Sequence, residues 1–167
     1  NGGGAVSRGG AVHGNGLATL CVDCLFVSNS AAYAGATYNC VVTNSVYRGN
    51  KATNAYGGDG ESCHLYDCRL YDAYSFNNSS FPMGGGSLYK GSATRCVIAE
   101  NKAVERTHPT PCDGGGAYNA SLYNCTIVSN LSNSGYGYGG GAVCFTGSGY
   151  KMVNCLVIGN ESLEAGV

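Results

Sequence analysis

Tryptophan is absent from this chain, proline occurs only 3 times in 167 residues, and charged residues make up 11%. Each shortage excludes something. Scarce proline, with no Gly-X-Y period behind the 28 glycines, excludes a collagen-like helix and fits a glycine-cornered solenoid. A net charge of −1 and the lack of any basic run argue against a nucleic-acid or anionic-membrane surface. No apolar run reaches the length of a membrane span, so no membrane insertion of this segment is expected. No stretch carries a helical period. The chain starts at Asn1 without Met or a signal peptide, which reads as a mature or excised piece, and its size suits a single domain over 1–167.

What is present is a repeat. Anchored on Cys24, Ser45, Cys68, Cys96, Cys125 and Cys155, successive copies are spaced by 21, 23, 28, 29 and 30 residues. Two residues after each anchor stand Phe26, Tyr47, Leu70, Ile98, Ile127 and Val157. Five residues after it stand Asn29, Asn50, Asn101, Asn130 and Asn160, broken only by Ala73. Glycine pairs or triplets precede most copies, as at Gly9-Gly10, Gly57-Gly58 and Gly139-Gly140-Gly141.

Strand side chains alternate faces, so the anchor and the residue two beyond it share one face. Cys and a large apolar residue mark that face as the interior. The cysteines Cys24, Cys68, Cys96, Cys125 and Cys155 then form a core ladder, and the five asparagines a hydrogen-bonded ladder at a corner. The glycines are expected to supply corners with φ > 0. Strands are predicted near 20–29, 38–50, 63–73, 93–100, 121–129 and 150–159, with loops between them. The fold class is all-β: a right-handed parallel β-helix of about six coils, roughly 29 Å long, without significant helix.

Gly-Gly-Ala-Val at 3–6, 9–12 and 140–143, Gly-Gly-Ala-Tyr at 115–118, and Phe26-Val27-Ser28-Asn29 resemble the GGA(I/V/L) and FxxN repeats of chlamydial polymorphic membrane proteins. Similar repeats occur in other bacterial surface β-helix proteins. The resemblance covers nearly the whole chain and implies a passenger-like surface segment.

The ends carry a further expectation. Seven residues follow Asn160, and Asn1 would be the eighth before Gly2-Gly3-Gly4-Ala5-Val6, as eight separate Asn130 from Gly139. The chain reads either as a window from a longer array or as a subunit that stacks head to tail into a fibre. Ten cysteines with few lysines point to an extracellular or cell-surface, oxidising setting. Cys40 and Cys63 each lie five residues before an anchor, so they stack in adjacent coils as a disulfide or as two buried thiols. Cys112 and Cys144 are a second candidate pair. Cys21-Val-Asp-Cys24 lacks a partner pair, and Cys63-His64 and Cys112 near His108 are isolated, so no metal or other cofactor is assigned.

Catalysis by a β-helix of the pectate-lyase kind needs clustered carboxylates. The candidates Asp59 and Glu61, Asp67 and Asp72, and Glu100 place no three acids in one register, so no catalytic residue is assigned. On the outward face Leu25, Val27, Val97, Val128, Leu156 and Ile158 form an apolar stripe, to be covered by loops or used as a contact surface. Tyr33, Tyr56, Tyr74, Tyr136 and Tyr138 offer stacking surfaces for sugars or proteins. The function expected is a non-enzymatic structural or adhesive solenoid that contacts further copies of itself or a host surface ligand. The alternative is a carbohydrate-binding or carbohydrate-cleaving β-helix with a glycan partner.

Overall fold

The computed structural model describes residues 7–54, 56–77, 84–105, 113–134 and 139–164. It is a parallel β-helix of six stacked coils. One sheet stacks Leu25–Val27, Val46–Arg48, Arg69–Tyr71, Val97–Ala99, Thr126–Val128 and Leu156–Ile158 in chain order, every neighbour parallel. A second sheet stacks Ser30–Ala31, Lys51–Ala52, Tyr74–Asn77, Lys102–Glu105, Leu131–Ser134 and Glu161–Glu164 the same way. The third side is a 10-stranded sheet whose longest members are Gly60–Tyr66 and Leu88–Thr94. A 3-10 turn, Gly16–Ala18, is the one helical element among the described residues.

The predicted register holds. Phe26 pairs with Tyr47, Tyr47 with Leu70, Leu70 with Ile98, Ile98 with Ile127 and Ile127 with Val157. Tyr47, Leu70, Ile98 and Ile127 are fully buried, each contributing about 1.5–3 kcal/mol of transfer free energy. The Tyr47 hydroxyl is satisfied by Thr37 Oγ1 at 3.0 Å, which removes the penalty of burying it.

Three expectations are corrected. Each long strand predicted around an anchor is two strands meeting at a corner just before it, as in Leu20–Val22 and Leu25–Val27. The corner residues Asp23, Asn44, Asp67, Arg95, Asn124 and Asn154 all lie in the left-handed region, with φ from 47° to 55°. Asp and Asn visit that region more readily than other non-glycine residues. Next, segments read as loops carry the whole second sheet, whose strands are too short to show a period.

Last, the glycine clusters serve close approach and not positive φ. Among the described residues of those clusters only Gly9 has φ > 0. Gly10, Gly35, Gly58, Gly86 and Gly115 form a column in which a Cβ would fall on the carbonyl of the next coil's glycine, for Gly86 that of Gly115, and at Gly141 it would fall on the Glu161 backbone across the same coil. Stacked coils approach this closely only where the side chain is a hydrogen.

Candidate functional site

The asparagine ladder is built as expected. Asn130 Oδ1 accepts from both Asn101 N and Asn101 Nδ2, at 3.0 and 2.9 Å. Asn130 Nδ2 donates to Ile98 O and to Asn160 Oδ1, at 2.9 and 2.8 Å. Asn50 Oδ1 accepts from Asn29 N and Asn29 Nδ2 in the same way. At the break, Ala73 leaves Asn50 Nδ2 without a next rung, and Asp59 Oδ1 takes its place at 2.8 Å, while Ser87 Oγ donates to Asp59 Oδ2 at 2.7 Å. Asp59 therefore stands in for the missing rung. It is fully buried, and burial pushes its carboxyl up to about 7.

The core cysteines line up and stay thiols. Cys24, Cys68, Cys96, Cys125 and Cys155 are all free. Cys96 raised and Cys125 lowered to about 7 reflect one thiol hydrogen-bonding the next. Cys40 and Cys63 stack as predicted, but their sulfurs are 3.7 Å apart and both are free, so that disulfide is not formed. Parallel, in-register neighbours aim their Cα–Cβ bonds the same way, which brings two sulfurs close without turning them toward one another. Cys144 is disulfide-bonded, while Cys112, His108, Tyr136 and Tyr138 lie outside the described residues. Eight cysteines among the described residues are thus free thiols, so they do not build the disulfide framework that a high cysteine count suggests.

The tyrosines form a column of their own. Tyr33, Tyr56, Tyr89 and Tyr118 stack with centroid separations of 4.7, 4.2 and 5.4 Å. Their faces cover one another, so the sugar-stacking surfaces expected at Tyr33 and Tyr56 are used inside the protein. Tyr74 packs against Phe76 and lies under Lys51. Glu61 joins this side: it is 5% exposed, raised by burial, and faces Arg8 at 3.6 Å.

The outer face of the first sheet is where coils differ. Leu25 and Val27 are 69% and 47% exposed, Leu156 and Ile158 are 55% and 53% exposed, and Val97 and Val128 are half-buried. Between these apolar rows the second and third coils place Val46, Arg48, Arg69 and Tyr71. A hollow of about 360 Å³ opens there, lined by Val46, Arg48, Tyr71, Asp72 and Glu100. A second, of about 100 Å³, lies on the other side of Val46 and is lined by Asn44, Ser45, Val46, Asp67 and Arg69.

Asp72 and Glu100 both sit four residues after an anchor, in the corner column Ser28, Gly49, Asp72, Glu100, Ser129 and Gly159, with φ from 53° to 63°. The pairing of Tyr71 with Ala99 puts the two acids on adjacent coils, about 4.8 Å apart along the stack. The equal offset from Cys68 and Cys96 was visible in the sequence and would have found this pair. Arg48 Nε lies 3.5 Å from Asp72 Oδ2. Across the face, Arg95 holds Asp67 by two hydrogen bonds of 2.7 Å, which lowers the Asp67 carboxyl.

Chemically, the larger hollow gathers a guanidinium, two carboxylates, a phenol ring and a valine. Among the described residues, no three His, Cys, Asp or Glu side chains converge to hold a metal ion, and no helix is long and apolar enough to cross a membrane. No family model, curated protein or solved structure matches the chain.

Proposed function

We propose that this chain is an extracellular or cell-surface structural and adhesive solenoid that extends by coil-on-coil stacking. One observation carries the reading. Every coil joins the next through the same kind of contact: in-register parallel strands, large residues stacked at equal offsets and, in most coils, an asparagine rung. Such a coil-to-coil contact is made by the repeat itself, so another coil of the same repeat fits the pattern that each inner coil already accepts. A second copy of the chain supplies such a coil. The surface location rests on the repeat resemblance and not on the cysteines.

The test is electron microscopy of the purified chain beside light scattering. The expected result is filaments with an axial repeat of about 29 Å, six strand spacings. A monodisperse monomer at all concentrations would sink the stacking half of the proposal.

A further inference from the structure

We propose that the two hollows flanking Val46 form one binding site for an extended neutral oligosaccharide. The proposal rests on the adhesive half of the reading above and is independent of the stacking half.

The lining has the chemistry of a polyhydroxylated ligand. Sugar hydroxyls both donate and accept, and the larger hollow offers both complements: Asp72 and Glu100 accept, Arg48 donates. Sugar rings also carry an apolar C–H face, which needs an apolar or aromatic floor; Val46 and the Tyr71 ring supply it. Tyr71 differs from the stacked column here, since no ring among the described residues covers it. The volume of about 360 Å³ falls within the range of small-ligand clefts. Beyond Val46 the smaller hollow repeats the theme with Asn44, Asp67 and Arg69, so a ligand longer than one sugar runs along the strand direction across both.

Charge selects the class. Arg48, Arg69 and Arg95, which clamps Asp67, against Asp67, Asp72 and Glu100 sum to zero (three positive, three negative). A face without net charge offers an acidic polysaccharide no electrostatic gain and sets Asp72 and Glu100 against its carboxylates in the larger hollow, while a neutral one meets no such repulsion. Glu100 adds a local hint: its φ of 60° places a long side chain where the same column elsewhere uses Ser, Gly or Asp. A side chain held in this region carries a conformational cost.

The experiment is titration calorimetry of the whole chain with cellohexaose, chitohexaose and mannohexaose, and with hexagalacturonate as the acidic counterpart. At least one neutral hexasaccharide should bind and the acidic one should not. Tyr71→Ala and Glu100→Ala should each weaken binding about tenfold. Tyr123→Ala, on another sheet, should leave it unchanged, and melting curves check that all variants are folded. The proposal is overturned if no neutral probe binds up to about 10 mM, if hexagalacturonate binds more tightly, or if Tyr123→Ala costs as much as Tyr71→Ala. Filament formation should be untouched by Tyr71→Ala, so a failure of stacking and a failure of sugar binding read out separately.

Discussion

On the inner side of the first sheet the chain reads Phe26, Tyr47, Leu70, Ile98, Ile127 and Val157; one residue earlier, on the outer side, it reads Leu25, Val46, Arg69, Val97, Thr126 and Leu156. The strands and the register are the same, but the constraints differ. An inner residue touches its counterparts above and below, so size and polarity are fixed coil by coil. An outer residue meets solvent and is free to vary. That freedom lets two coils in the middle of a uniform stack carry arginines and a tyrosine without disturbing the fold.

The comparison is broken most severely from inside. Asn130 is fully buried and holds the Asn101 backbone and side-chain N–H groups and the Ile98 carbonyl. Asn130→Leu should leave these buried groups unpaired and cost about 3–4 kcal/mol in urea unfolding. A loss below about 1 kcal/mol would show that the ladder is ornamental to stability.

The Ala73 break offers a finer test. Corner residue and ladder residue trade size along the chain: Ala11 with Asn29, Ala36 with Asn50, Asp59 with Ala73, Ser87 with Asn101, Gly116 with Asn130, and Ala142 with Asn160. Where the asparagine is missing, an acid has grown in from the facing corner. Ala73→Asn alone should destabilise by overpacking, and Asp59→Ala alone by unpairing Asn50 and Ser87, about 1–3 kcal/mol each. The double variant copies the Ala36 and Asn50 rung and should recover most of both losses, a coupling that a double-mutant cycle measures directly.

The double variant should also flatten the pH dependence. The folded Asp59 carboxyl, raised from 3.8 to about 7, keeps a proton that the unfolded chain releases. Its stabilisation is full below pH 3.8 and is lost as pH rises through 7, on the order of 4 kcal/mol for this one group. Wild type should therefore melt at a lower temperature at pH 8 than at pH 4. The double variant should lose less, keeping only the share due to Asp113, which burial also raises to about 7, and Glu61. Equal slopes for the two proteins would refute the assignment to Asp59.

Much of this was legible because the interior repeats. The anchor, the large residue two beyond it and the asparagine five beyond it placed six coils in register from spacing alone. The corners were harder, since an Asp, Asn or Arg before the anchor looks like any polar strand residue until its backbone is seen at positive φ. Glycine misled for the opposite reason: its usual licence is positive φ, whereas here coils crowd together. The Asp72 and Glu100 pair sat in plain register, but a search for three aligned acids passed over two. Whether stacked thiols join is not written in spacing at all, as Cys40 and Cys63 show.

The smallest effect should come from the outermost residues. Leu25→Ser and Leu156→Ser replace side chains that are 69% and 55% exposed. Little apolar area is lost from the folded state, so each should shift stability by no more than about 0.5 kcal/mol. The variants still have a use, because the same leucines form the apolar flanks of the varied face. If that face packs laterally against another rod, Leu25→Ser with Leu156→Ser should thin bundled filaments to single ones in electron micrographs while melting curves stay in place. If instead the melting temperature drops by many degrees, the leucines belong to the buried interior after all, and the division between a constrained inner column and a free outer one fails at its most exposed point.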